Sequence, residues 1–172
     1  MFKLQISDIT KACQLSQLWA THTISLLDPG IEQAIKDFEL DIKIPTAPLE
    51  RELRRYYFHD IINKNDFMIL FSEDISPTRA TLEQMKDILE FTAPLTSQDK
   101  LLVHCLAGVS RSTAVACGIL CQHGLTPNEA IQYVLSIRPQ AHPNEYILQL
   151  FDEILGLKGQ LITTITNYYH ET

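Results

Sequence analysis

No stretch restricts the architecture more than Leu101-Leu102-Val103, because a glycine-containing loop and a long run of small residues come directly after it. Three apolar residues in succession, short of helical length, read as a central strand buried on both faces. Beyond the brief interval containing Gly108, the stretch from Ser112 to Gln122 is dominated by small and apolar side chains. Val115, Ile119 and Leu120 fall in helical register there, and Gly124 supplies a stop. A buried strand passing through a tight loop into a helix is the repeating unit of an α/β sheet.

The rest of the chain fits that unit. Phe2, Leu4 and Ile6 alternate with polar residues as in a half-buried strand, and Ile9 to Ala20 switches to helical spacing. His22 to Leu27 is a second strand, ended by the turn residues Asp28, Pro29 and Gly30. Residues 30 to 50 carry no clear pattern. Tyr56, Tyr57 and Phe58 make a third short strand, and Asn63 to Asp66 reads as loop. Ser76 and Pro77 suit the N-cap and first position of a helix carrying Leu82, Met85, Ile88 and Leu89 and ending before Pro94. Thr126, Pro127 and Glu129 form a capping box for a helix that Pro139 closes. Pro143 and Asn144 open a last helix with the stripe Ile147, Leu148, Phe151, Ile154 and Leu155, which residues after Gly156 extend or let fray. The expected class is therefore α/β, a central mostly parallel sheet flanked by helices. At 172 residues the chain is expected to form a single domain over residues 1–172.

Composition narrows the function. Hydrophobic residues make up 45% and charged residues 20%, which excludes the disordered and collagenous classes. A formal charge of -7 disfavours non-specific capture of nucleic acid or anionic membrane. No apolar run approaches the roughly 20 residues of a membrane span, and Lys3, Asp8 and Lys11 interrupt any secretory signal. A cytoplasmic monomer is the expectation. Cys13, Cys105, Cys117 and Cys121 form no Cys-x-x-Cys pair, so reduced thiols are expected and a metal site is not.

The chemistry is expected where the buried strand ends, in His104-Cys105-Leu106-Ala107-Gly108-Val109-Ser110-Arg111-Ser112. A loop between a strand and a helix N-terminus can turn successive backbone N–H groups inward, forming a nest for a phosphate dianion. Leu106, Ala107, Gly108, Val109, Ser110 and Arg111 are the candidate phosphate-binding residues. The same field favours the thiolate form of Cys105 and makes it a nucleophile. The planar fork of Arg111 can hold two phosphoryl oxygens, which a lysine could not match. His104, on the strand, is expected to order the loop rather than act as a base.

The run His104-Cys105-x-x-Gly108-x-Ser110-Arg111-Ser112 resembles the signature of the cysteine-dependent dual-specificity and tyrosine protein phosphatases. Arg138-Pro139 and Pro143-Asn144 resemble the family's closing segment, so the similarity covers residues 20 to 155. Leu26-Leu27-Asp28-Pro29 and Phe58-His59-Asp60-Ile61 look most like small bacterial members. The resemblance implies metal-independent, cofactor-free hydrolysis of a phosphorylated protein or peptide in two steps through a phosphocysteine at Cys105. It also gives Ser112 a role, donating its hydroxyl to the departing sulfur, although capping the helix is an equal possibility for a serine there.

A leaving oxygen needs a proton donor. Asp60 follows a short strand, where members of the family hold their acid, and is the preferred candidate. Its interval to Cys105 is long for the family, so Asp66 is the alternative, with Glu73 and Asp74 further along. Arg51, Arg54 and Arg55 could attract a phosphorylated substrate or could simply pair with Glu50 and Glu52. Cys117 and Cys121 read as small buried hydrophobes. No basic residue lies between Leu106 and Ser110, which disfavours phosphoinositides. The rival reading is a catalytically weak pseudophosphatase that binds phosphoproteins.

Overall fold

The structure, a computed structural model, describes residues 1–62 and 77–171. Strands β1 (Lys3–Ser7), β2 (His22–Leu27), β3 (Glu52–Tyr57) and β4 (Lys100–His104) form one sheet in the order β1-β4-β2-β3. All three pairings are parallel, so the expected α/β class holds. Because β4 returns between β1 and β2, it is buried on both faces, as its uninterrupted apolar run demands.

Side-chain alternation along β4 divides the core. Leu102 faces a small cluster with Ala12 and Ala20 under helix α1 (Ile9–Leu18). Leu101 and Val103 face the larger cluster on the other side. That cluster is built with α3 (Leu82–Thr92), α4 (Arg111–Gln122), α5 (Pro127–Ile137), α6 (Glu145–Leu155) and α7 (Gln160–Glu171). Helix α4 is its axis, with every residue from Arg111 to Leu120 buried. Its small side chains are what allow this: a Cβ at Gly118 would run into the ring of Phe151 on α6.

Several expectations need correction. Strand β3 begins at Glu52 and ends at Tyr57, so Arg54 and Arg55 lie in the strand. Arg54 pairs with Asp87 on α3 at 2.7 Å and stacks over Phe91, while Arg55 donates to the Pro45 carbonyl. The expected partners Glu50 and Glu52 are not theirs, because Arg54 faces α3 and Arg55 faces the segment that precedes β3. Helix α3 starts at Leu82, not at Pro77. Thr81 and Gln84 cap it reciprocally, satisfying two end groups where a Ser-Pro start would satisfy one. Ser76 lies outside the described residues.

The unpatterned stretch from 30 to 50 contains a helix, α2 (Ile31–Asp37), none of whose residues is buried. Ile31, Ala34 and Ile35 share one of its faces but are only half-buried. The following segment lies along α1, where Gln17 Nε2 donates to the Thr46 carbonyl at 2.8 Å. Gly156 ends α6 in the left-handed conformation, and α7 is a separate helix rather than an extension. Asp152 makes this possible by accepting the backbone N–H groups of Leu161 and Ile162, each at 3.3 Å. The capping box of Thr126 and Glu129 is present as expected.

Candidate active site

Parallel strands end on one edge of a sheet, where ligands of open α/β folds bind. Here the ends of all four strands meet the loop after β4. Ser7 ends β1 and Asp8 follows it, Asp28 follows β2, Phe58 to Asp60 follow β3, and Cys105 follows β4. A cavity of about 340 Å³ opens there, lined among others by Asp28, Asp60, Cys105, Ala107, Ser110 and Arg111. A larger cavity of about 720 Å³, bounded by Ile62, Arg79, Tyr146 and residues of α6 and α7, contains no residue of the cysteine loop. The smaller one exposes the chemistry.

Loop geometry follows from where its carbonyls go. Leu106 O accepts from the Ile9 N–H at 3.1 Å, and Ala107 O and Gly108 O accept from Arg138 Nη2 and Nε at 2.8 and 2.9 Å. Val109 O accepts from the His142 N–H at 2.9 Å, and Ser110 O from the N–H groups of Ala114 and Asn144. In a trans peptide the N–H points opposite to the C=O. Five carbonyls held outward therefore turn the N–H groups of residues 107 to 111 toward the sulfur. The Gly108 N–H reaches Cys105 Sγ at 3.2 Å. Gly108 has φ +69, and a Cβ there would lie 2.5 Å from the Ser7 carbonyl carbon, so only glycine lets the loop close against the end of β1.

Cys105 is 2% exposed, with Ser112 Oγ 3.3 Å from its sulfur. Ser112 does not cap α4; Ser110 occupies the N-cap position. Arg111 is 3% exposed and its guanidinium is already oriented: Nη1 donates to Asp28 Oδ1 at 2.9 Å and to the Phe58 carbonyl at 2.8 Å. Its Nε has no hydrogen-bond partner among the described residues. A buried donor without a partner is costly, and one that lines a cavity awaits an acceptor. Asp60 stands across the cavity, its Oδ1 accepting from Ser110 Oγ and Asn144 Nδ2, both at 2.7 Å, and its Oδ2 lying 4.0 Å from Arg111 Nε. Asp66, Glu73 and Asp74 lie outside the described residues.

His104 is fully buried, with Nδ1 3.3 Å from the Cys105 carbonyl. Burial pushes its pKa down to about 4, so the ring is neutral at neutral pH. Burial pushes the Cys121 thiol up to about 12 and the Cys117 thiol up as well, as for inert packing groups.

The sequence profile of the dual specificity phosphatase catalytic domain matches residues 30–153. The chain belongs to that family. Among the curated dual specificity phosphatases, dual specificity protein phosphatase 1 of Arabidopsis thaliana is 48% identical over 54 residues. The match covers 30% of this chain and 27% of that protein. The fold is also that of human DUSP28, with a TM-score of 0.61 at 24% identity over 90% of this chain and 94% of that one. Human tyrosine phosphatase-like serine/threonine/tyrosine-interacting protein gives 0.62 at 20% identity over 90% and 92%.

In this member of the family, the structure brings Cys105, Arg111 and Asp60 to one cavity, with Ser112 behind the sulfur, and leaves the Arg51, Arg54 and Arg55 cluster out of it. Sequence reasoning missed three supports. The sequence marks Asp28 as a turn residue and as part of the resemblance but gives it no role, although a carboxylate directly after a parallel strand end is an available signal. Arg138 and Asn144 carry the resemblance, but their contacts to the loop carbonyls and to Asp60 have no signature in spacing.

Proposed function

We propose that the chain is a metal-independent cysteine phosphatase acting on phosphotyrosine in proteins or peptides, and on phosphoserine or phosphothreonine where they reach the sulfur. The observation that carries this reading is the carbonyl-out loop around Cys105, together with the Nε of Arg111, which makes no hydrogen bond among the described residues. Five inward N–H groups and a fixed guanidinium edge match a phosphoryl group, whose charge spreads over three oxygens in the transition state.

In the first step Cys105 Sγ attacks phosphorus, an S–P bond forms, and the bond to the substrate oxygen breaks. Asp60 Oδ2 hands its proton to the leaving oxygen. In the second step water attacks the phosphocysteine, Asp60 takes the water's proton, and the S–P bond breaks to release phosphate. Ser112 Oγ, 3.3 Å away, donates to the departing sulfur. The side chains toward the cavity mouth, Leu106, Val109 and Ile61, suit an aromatic ring. The chain would act as a single catalytic domain, a cytoplasmic monomer without cofactor. No helix among the described residues is long and apolar enough to cross a membrane.

A second reading, phosphoprotein binding with little turnover, draws on Asp60: two hydrogen bonds tie its Oδ1 to the loop, leaving only Oδ2 for a proton. The deciding experiment is hydrolysis of para-nitrophenyl phosphate and phosphotyrosine peptides with chelator present, by wild type and Cys105→Ser. Turnover by wild type, at least a thousandfold lower in the variant, is expected, roughly the loss seen on removing other activated nucleophiles. Binding of the peptides without turnover would select the second reading.

A further inference from the structure

Helix α7 lies beyond the family match, which ends at residue 153, yet it touches the segment that braces the cysteine loop. Its start is capped by Asp152, and Leu161 and Ile165 anchor it in the core. At its far end Tyr169 reaches the residues after α5. The hydroxyl donates to the Ala141 carbonyl at 2.5 Å, and the ring stacks on His142 with centroids 4.6 Å apart and planes 14° from parallel.

The acceptor is what makes this contact more than packing. The Ala141 carbonyl and the His142 N–H belong to one peptide unit and point opposite ways across its plane. One side takes the Tyr169 proton; the other donates to Val109 O at 2.9 Å. Val109 O belongs in turn to the peptide whose N–H is that of Ser110, on the sulfur side of the loop. Two peptide planes in series thus connect the phenol to the phosphate nest, and hydrogen bonds so arranged polarise one another. Rotating the Ala141–His142 plane would break both bonds at once. Burial, with Tyr168 beside it, raises the Tyr169 phenol above its ordinary pKa, so the hydroxyl remains a donor at neutral pH.

We propose that Tyr169 is a positioning residue for the phosphate-binding loop: through the Ala141–His142 peptide, its hydroxyl fixes Val109 O outward and the Ser110 N–H inward. The ligand in this inference rests on the phosphatase reading; the coupling does not. Tyr169→Phe keeps the ring and its stacking and deletes only the donor. Its competitive inhibition constant for orthovanadate should rise roughly three- to tenfold, the range of one hydrogen bond of ordinary net strength. Its kcat/KM for para-nitrophenyl phosphate should fall by a similar factor, and amide exchange of residues 107–111 should quicken. Thr164→Ala, which loses a hydroxyl bond to the Gln160 carbonyl within the same helix, should change none of these.

A folded Tyr169→Phe with unchanged orthovanadate inhibition and unchanged loop exchange overturns the proposal. So does a uniform loss of protection across the whole chain with no excess in the loop, since that marks a purely structural role. A wild type that neither turns over substrate nor binds orthovanadate defeats the phosphatase reading alone. In that event faster loop exchange in the variant still supports the coupling, and unchanged exchange rejects it.

Discussion

The loops after β4 and β3 face one cavity, but among the described residues β4 lies between two strands and β3 has a neighbour on one side only. After β4, five successive carbonyls have protein donors drawn from the start of α1, from Arg138 and from the residues leading into α6. After β3, Asp60 is held by two side-chain donors, Ser110 and Asn144, and one of these belongs to the other loop. The cysteine loop has a donor on each of its carbonyls, whereas the loop after β3 is tied by its backbone to Leu27 and Thr78 and only the Asp60 carboxylate depends on the cysteine loop, through Ser110. An anion cradle must be rigid before the phosphate arrives, since reorganisation during the reaction would forfeit its electrostatic advantage. A proton donor has only to come within hydrogen-bond reach of one oxygen.

The largest effect expected from breaking this arrangement is on the braced side. Arg111→Lys should lower kcat/KM on phosphotyrosine peptides by about a hundred- to a thousandfold, because one ammonium cannot hold Asp28 and Phe58 O and also present two N–H groups to phosphate. A loss below fivefold in steady-state assays would move the cradle elsewhere.

Burial of His104 next to that loop should carry an acid sensitivity. Its folded pKa of about 4 lies below the ordinary 6.5, so the unfolded chain binds the extra proton. The stability contribution is complete above pH 6.5 and is lost as pH falls toward 4, by up to about 3 kcal/mol. Denaturant titrations at pH 7 and pH 5 should show a steeper drop for wild type than for His104→Gln. Equal drops would mean that the ring is protonated without strain.

On the lightly held side, Asp60→Asn should slow phosphotyrosine peptides roughly a hundredfold but an aryl phosphate with a good leaving group by less than tenfold. The basic limb of the pH–rate profile should vanish with it. Asp66→Asn, the alternative from sequence, should do neither; a leaving-group-dependent loss there would transfer the role.

The smallest effect sharpens the contrast, because Asp28 orients Arg111 from outside both loops. Asp28→Asn should weaken kcat/KM about tenfold, the scale of one charge-assisted hydrogen bond, and equally for good and poor leaving groups. Were the loss to grow with leaving-group pKa, Asp28 rather than Asp60 would be supplying the proton.

Short-range physics set the limit of what could be read along the chain. The apolar run of β4, the glycine inside the loop, the cysteine and arginine at fixed spacing and the reciprocal cap at Thr126 each express their consequence within a few residues of chain. The α/β class and the candidates Cys105 and Arg111 could therefore be read along the chain, and the resemblance to the family added Ser112 and Asp60. The packing of distant elements chose which groups hold them. Asp28 meets Arg111, Asn144 meets Asp60 and Tyr169 meets Ala141 across separations of 83, 84 and 28 residues. The cap of the following helix at Thr81 and Gln84, by contrast, is as local as the one at Thr126 and was equally legible in the chain. A hydrogen bond between distant residues leaves no period in the sequence, because its partners are brought together by the packing of the whole sheet and its helices rather than by the local chain.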